Sequence, residues 1–427
     1  MKPKVLLATT SSWYPSARLA MALHSAGCQV DAVCPNNHPL RKTGSVERVH
    51  VYRGLSPLRS LARAIAISRP DFIAAGDDHA TQLLHCLYAR EKRNGRSEAS
   101  VCALLERSFG EPQSFPVVRE RWAFMEFART EGLRVPSTQI VHTREDLKAS
   151  VNRMGLPAVL KADGTSGGDG VRIARTLSDA ERAFDQLQAP PLLARAAKRA
   201  LIDHDTTLVW PSLKRQRRVV NIQSFINGQE ATSTVVCSKG VLLAALHFEV
   251  VNKVSSTGHA TVVRLVQNAE MATAAETVVR RLGLSGFYGF DFMLEAETQH
   301  AYLIEINPRV TQVGHLTLGP GRDLPAALRA TLASKEIQPA PKVTEKDTIA
   351  LFPQEWIRDS QSPFLQSAYH DVPWEKPELV LDCVNSRQKQ SGWYARLNRK
   401  PASAPERLPE TAVAVTPITH SHRSLSS

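Results

Sequence analysis

Two carboxylates embedded in apolar runs constrain this chain more than any other feature. Gly289-Phe290-Asp291-Phe292 lies inside a strand-like run from Phe287 to Leu294. Leu303-Ile304-Glu305-Ile306-Asn307-Pro308-Arg309 closes a second run that starts at Ala301. Runs of this composition form core strands. A carboxylate in a core is costly unless a cation compensates it. Asp291 and Glu305 on neighbouring strands, with the amide oxygen of Asn307, would make an all-oxygen pocket of the kind a hard cation such as Mg²⁺ prefers. The plainer alternative is two solvated acids at strand ends.

Phosphate-binding parts lie upstream. Gly155-Leu156-Pro157-Ala158-Val159-Leu160-Lys161-Ala162 reads as a turn and a buried strand ending in a lysine. The stretch Asp163-Gly164-Thr165-Ser166-Gly167-Gly168-Asp169-Gly170 follows, then the strand-like Val171 to Ala174. Glycine tolerates unusual dihedrals and close approach, so backbone N–H groups of such a loop can turn towards phosphate oxygens. Lys161 adds a point charge beside them. An ordinary flexible turn is the alternative. The stretch fits neither a P-loop nor a dinucleotide-binding glycine pattern.

Together these residues resemble the ATP-grasp superfamily, in its carboxylate–amine or thiol ligase branch, from about Pro116 to Leu332. The resemblance also covers Arg121-Trp122-Ala123-Phe124-Met125, where the family places a basic residue at a helix start, and Gly132 to Thr138. It implies ATP binding by Arg121, Lys161, Gly167 and Gly168. It implies Asp291, Glu305 and Asn307 as ligands of Mg²⁺ or Mn²⁺, and catalytic roles for Arg309 and Lys161. The adenine hinge departs from the family pattern: Gln223 or Ser224 stands where a glutamate is expected. Gln223, Phe225 and Ile226 remain the candidates for the base, and Glu230 for the ribose.

The fold the resemblance implies is mixed α/β and α+β. A Rossmann-like domain over residues 1–112 precedes a two-lobed ATP-grasp domain over 113–334, with lobes at about 113–217 and 218–334. A small C-terminal appendage follows over 347–400, and the Ser-, Pro- and Thr-rich residues 401–427 read as a disordered tail. The first part reads as doubly wound. Strands at Lys4 to Thr9, Cys28 to Cys34 and Asp71 to Ala75 alternate with helices from about Pro15 and over Pro57 to Arg69. Loops at strand C-termini, including Thr10-Ser11-Ser12, Pro35 to His38 and Gly76-Asp77-Asp78, are then available to ligands. Asp78 also reads as a helix cap. Glu111 to Pro116 reads as a linker. His259 is a candidate base or substrate contact, or simply a solvated histidine.

Composition sets limits. Six scattered cysteines, with no C-x-x-C, argue against zinc and against a disulfide framework. No run approaches the roughly 18 apolar residues of a membrane span, and a cytoplasmic location is expected. The net charge of +12 concentrates at 195–218 and after Asn385 without interleaved aromatic stacking positions. That favours anionic small substrates over nucleic acid. A homodimer is left open.

The implied activity joins a small-molecule carboxylate to an amine, or a similar nucleophile, through an acyl phosphate, with ATP as co-substrate. The alternatives are a carboxylase-type ATP-grasp enzyme and a non-catalytic ATP-binding regulatory protein.

Overall fold

The computed structural model describes residues 2–94, 99–165, 168, 170–190, 192–193, 209–215, 217–337 and 340–385. Three sheets organise them. The first is parallel, in the order β3-β2-β1-β4: β1 is Lys4–Ala8, β2 Gln29–Cys34, β3 Arg48–Val51 and β4 Phe72–Ala75. β1 and β4 are buried on both faces, which is why their sequences run apolar rather than alternating. Helix α1 (Tyr14–Ser25) has Pro15 in its first turn, where a missing N–H costs nothing. Gly27 follows its end at φ +93°. Helices α2 (Pro57–Ser68), α3 (Asp78–Arg93) and α4 (Ala99–Phe109) complete this layer.

The expected linker is structured. Phe115 begins helix α5 (Phe115–Arg119), and its ring stacks on the buried His85 of α3 at 3.8 Å. Burying an aromatic ring on both faces fixes what composition alone reads as a connector. Helix α6 (Arg121–Thr130) follows directly.

The second sheet is small and antiparallel, in the order β5-β8-β6-β7: β5 is Thr138–Val141, β6 Ala158–Ala162, β7 Val171–Ala174 and β8 Val220–Ser224. Helices α7 (Arg144–Met154) and α8 (Leu177–Gln188) cover it. Each starts with a capping box, Thr143 with Asp146 and Thr176 with Asp179. The glycine-rich loop joins β6 to β7.

The third sheet has seven strands in the order β13-β12-β9-β10-β11-β14-β15. β9 is Gly228–Ser238, β10 Val241–Lys253, β11 Ala260–Leu265, β12 Gly286–Glu295 and β13 Ala301–Asn307. β14 (Thr348–Ala350) pairs with β11, and β15 (Tyr369–His370) lies parallel to β14. Residues beyond 347, set apart by composition, thus extend the large sheet. Residues 386–427, including the expected tail, lie outside the described residues.

Two cores hold the large sheet. On one face, α6 and helix α9 (Ala269–Arg281) bury Phe124, Met271, Val278, Phe290 and Phe292. On the other, Val236, Leu246, Phe248 and Ile349 share one core with Val5, Leu7 and Val30 of the parallel sheet. Helix α10 (Leu324–Ala333) contributes Leu324 and Leu328 to it. This shared core brings the C-terminal end of β4 beside the end of β13: the Val310 N–H donates to the Ala75 carbonyl at 3.1 Å. Among the described residues, no helix is long and apolar enough to cross a membrane.

Candidate active site

β12 and β13 place the acids. Their antiparallel register sets Asp291 directly opposite Glu305 and Gly289 opposite Asn307. Opposed residues on adjacent strands have neighbouring side chains. Asp291 accepts from the Thr232 hydroxyl of β9 at 2.9 Å and from the Asn307 amide at 2.8 Å. Burial, then the charge of Glu305, pushes the Asp291 carboxyl up to about 6. Glu305 behaves in the opposite way. Burial alone would raise it, but Arg121 and Lys161 outweigh that and hold it below the usual glutamate range. Opposed shifts at neighbouring acids are the pattern expected of a functional site.

Arg121, at the first position of α6, bridges the two sheets. It donates to Glu305 at 2.7 Å, to the Ala162 carbonyl at 2.5 Å and to the Thr165 carbonyl at 3.3 Å. Asp163 lies 3.6 Å from it. Lys161, at the end of β6, is buried, and its ammonium donates to the Ile304 carbonyl of β13 at 3.3 Å. Burial lowers its pKa, with Glu305 opposing. Arg121, Lys161, Glu305, Asp291 and Asn307 thus form one connected cluster.

Arg309 continues it. Its guanidinium donates to the Asn307 side chain at 3.3 Å and to Asp78 of α3 at 3.0 Å. It also lies over the Trp13 ring at 4.6 Å. Asp77, not Asp78, caps α3: its carboxylate accepts from the Ala80 N–H, the Thr9 and Thr10 hydroxyls and the Thr10 N–H. Asp78, one residue on, is free to meet Arg309.

The hinge residues sit between the small and large sheets. Gln223 is buried on β8, and its Nε2 has no partner among the described residues. Phe225 and Ile226, half-buried, form the connection from β8 to β9. Glu230 of β9 is paired with Lys253 at 2.6 Å. Gly168 is at φ +81°, and a Cβ there would overlap the Thr257 carbonyl oxygen, so the glycine-rich loop lies against the turn after β10. Gly167 lies outside the described residues. Burial lowers the pKa of His259 on this turn, and His259 joins no part of the cluster.

Several participants carry no sequence signal. Thr232 is one threonine of an ordinary strand, and Trp13 lies just before α1, far from β13 in the chain; Asp78, which reads in the sequence only as a loop and cap residue, opens α3. Asn221, which donates to Asp163 at 2.9 Å, lies on β8 opposite Lys161. Only strand pairing reveals its place. Asp291, Glu305 and the Asn307 amide oxygen offer an oxygen-only donor set. Burial first, and the charge of Glu305 second, raise the Asp291 pKa; a hard dication is a counter-charge that suits such an oxygen set.

A small sheet carrying the glycine-rich loop is joined to a carboxylate-bearing sheet through Arg121 and Lys161. The profile of the ATP-grasp domain family matches residues 204–313. Over these residues the chain is similar to ATP-grasp domains.

Among curated proteins it is 25% identical over 307 residues to the carbamoyl phosphate synthase arginine-specific large chain of Halalkalibacterium halodurans. That alignment covers 70% of this chain and 27% of the relative. It is 31% identical over 111 residues to the phosphoribosylamine–glycine ligase of Ralstonia nicotianae, covering 26% and 22%. The chain thus spans about a quarter of the length of these relatives. Among solved structures it resembles the biotin carboxylase domain of Hydrogenobacter thermophilus 2-oxoglutarate carboxylase, crystallised with MgADP and bicarbonate. The TM-score is 0.55 at 14% identity, covering 79% of this chain and 71% of that one. It also resembles Staphylococcus aureus N5-carboxyaminoimidazole synthetase complexed with ADP, with a TM-score of 0.55 at 14% identity and 79% of each chain covered.

Proposed function

We propose that this chain is an ATP-dependent ligase that joins a carboxylate to an amine or similar nucleophile, releasing ADP and phosphate. The observation that carries the reading is the connected set of Asp291, Glu305, Asn307, Arg121 and Lys161 across two sheets. Phosphoryl transfer asks a protein mainly for positioning and charge neutralisation, and this set supplies both.

The residues take the following roles. Lys161 and Arg121 hold the outer phosphates. The carboxylate oxygen of the first substrate attacks the terminal phosphorus, an O–P bond forms, and ADP leaves. The nucleophile then attacks the acyl carbon, loses its proton, and phosphate leaves. Arg309 steadies the transferred phosphoryl group, because its planar fork matches phosphate oxygens. Gly167 and Gly168 lie in the loop that excludes water from the acyl phosphate. Gln223, Phe225 and Ile226 flank the base, and the unpartnered Gln223 amide fits a group that awaits a ligand. Glu230 meets the ribose after exchanging its Lys253 partner. Asp291, Glu305 and Asn307 fit Mg²⁺ or Mn²⁺, which when bound neutralises charge on the phosphate oxygens.

The second reading is a carboxylase-type reaction, with bicarbonate as the carboxylate. What supports it is the resemblance to a biotin carboxylase domain crystallised with bicarbonate. The deciding experiment is ADP release from Mg-ATP against a panel of carboxylates and amines, with and without bicarbonate, beside Glu305→Gln. Release that requires a particular carboxylate and an intact Glu305 supports the ligase. Release with bicarbonate alone selects the second reading. Mg-ATP binding without release under any condition overturns both in favour of a regulatory protein.

A further inference from the structure

A cleft of about 500 Å³ lies away from the candidate active site and shares no residue with it. It runs along the C-terminal half of α1, the exposed side of α10 and the segment 371–376. Its size suits a small ligand.

The wall of this cleft is built from buried charge. Asp371 accepts from Arg18 of α1 at 2.5 Å and from the His315 Nε2 at 2.7 Å, and both Asp371 and His315 are buried. With Nε2 committed, the His315 Nδ1 has no partner among the described residues. The carboxylates of the lining are largely spent. Asp371 serves Arg18 and His315, and Asp323 caps α10 by accepting from the Ala326 N–H at 3.0 Å. Glu375 is 63% exposed and 3.9 Å from Arg18.

The cations are not spent. Among the described residues, neither Arg329 nor Lys376, both in the lining, lies within ion-pair distance of a carboxylate. Two uncommitted cations in one concave site attract two negative charges. The last turn of α1, at Ser25 and Ala26, also lines the cleft. The carbonyls of Ala22, Leu23 and His24 accept from the N–H groups of Ala26, Cys28 and Gly27, which leaves the Ser25 and Ala26 carbonyls and the partial negative charge of the helix end to suit an ammonium group.

We propose that this cleft is a second small-molecule site, for an acidic α-amino acid. Its two carboxylates meet Arg329 and Lys376. Its ammonium meets Glu375 and the Ser25 and Ala26 carbonyls at the end of α1. The assignment does not depend on the proposed ligase activity.

The test is calorimetric titration of the full chain with L-aspartate and L-glutamate, with succinate as a probe that lacks the ammonium group. One of the two amino acids binds the wild type, and succinate binds more weakly. Arg329→Gln and Lys376→Gln each weaken binding roughly tenfold or more, about 1.4 kcal/mol per factor of ten. Glu305→Gln leaves it unchanged. Lys376 is partly exposed, so Lys376→Gln keeps the test valid even if Arg329→Gln fails to fold. Absence of binding by either amino acid overturns the proposal, as does binding indifferent to both substitutions. Binding abolished by Glu305→Gln would put the ligand in the active site and overturn it too. Succinate binding as tightly as the amino acids overturns the amino-acid assignment.

Discussion

Arg309, on the exit from β13, and Asp78, at the start of α3, form a 3.0 Å ion pair between the large sheet and the parallel sheet. With Trp13 beside the guanidinium, this pair fixes Arg309, which donates to Asn307 of the acid cluster, from outside the large sheet. Asp78→Ala releases one side of that grip while leaving the α3 cap, Asp77, intact. Small misplacements of a positioned group cost rate steeply. In steady-state ADP release, kcat should fall roughly ten- to hundredfold with little change in the KM for ATP. An unchanged kcat would remove Asp78 from any positioning role.

Among the described residues, the Thr232 hydroxyl donates to one oxygen of Asp291 and to no other side chain of the cluster. Thr232→Val keeps the shape of the side chain and removes the donor. Loss of an outer-shell hydrogen bond to a metal-binding group typically costs about 10- to 100-fold in affinity. A Mg²⁺ titration of ADP release should show the half-saturating concentration rising by about that factor. The maximal rate at saturating Mg²⁺ should be largely recovered.

Gly168 and Gly164 both have positive φ, but only Gly168 abuts another segment. Gly164→Ala meets nothing within 4 Å and carries only the backbone strain of a left-handed alanine, about 1–2 kcal/mol. Gly168→Ala adds a collision with the Thr257 carbonyl. The KM for ATP should therefore rise clearly more in Gly168→Ala than in Gly164→Ala. Equal values in the two variants would show that the loop does not bind nucleotide while seated on the Thr257 turn.

His85 supplies a pH dependence away from the site. It lies between Phe115 and Phe109, and burial pushes its pKa down to about 3. The folded state keeps it neutral, while the unfolded chain protonates near 6.5. Its stabilising contribution is complete above that value and is lost as pH falls from about 6.5 towards 3. Chemical denaturation at pH 7.5 and pH 5 should show this residue costing about 2 kcal/mol at the lower pH. His85→Phe should lose that component of the acid sensitivity. A variant with the same pH slope as the wild type would contradict the assignment.

How much of this was legible in the chain depends on distance along it. The apolar runs of β1, β2, β4, β12 and β13 announce themselves, because each buries a face through its own residues. The acids of β12 and β13 stand out for the same reason: a charge in such a run is conspicuous. The glycine-rich stretch is local too. Partnerships are not. Nothing near Arg309 names Asp78, and nothing near Glu230 names Lys253. Position 78 looks as good a cap as 77 until the Thr9–Thr10 turn is seen to claim Asp77. β14 and β15 are three and two residues long, too short to show a period of two. Only pairing with β11 makes β14 a strand. Phe115 looks like part of a connector until His85 covers its ring.

The Arg18–Asp371 contact joins residues 353 positions apart. The surface of α1 is also closed late in the chain: Tyr14, Ala17 and Met21 bury against Phe352, Val372 and Leu379. On a ribosome, α1 emerges long before these partners. At about 5–20 residues per second, its apolar face and buried arginine wait on the order of tens of seconds for them. A helix made early is thus among the last to be completed. Through that interval the parallel sheet is a client for whatever shields nascent apolar surface, however stable the finished protein proves to be.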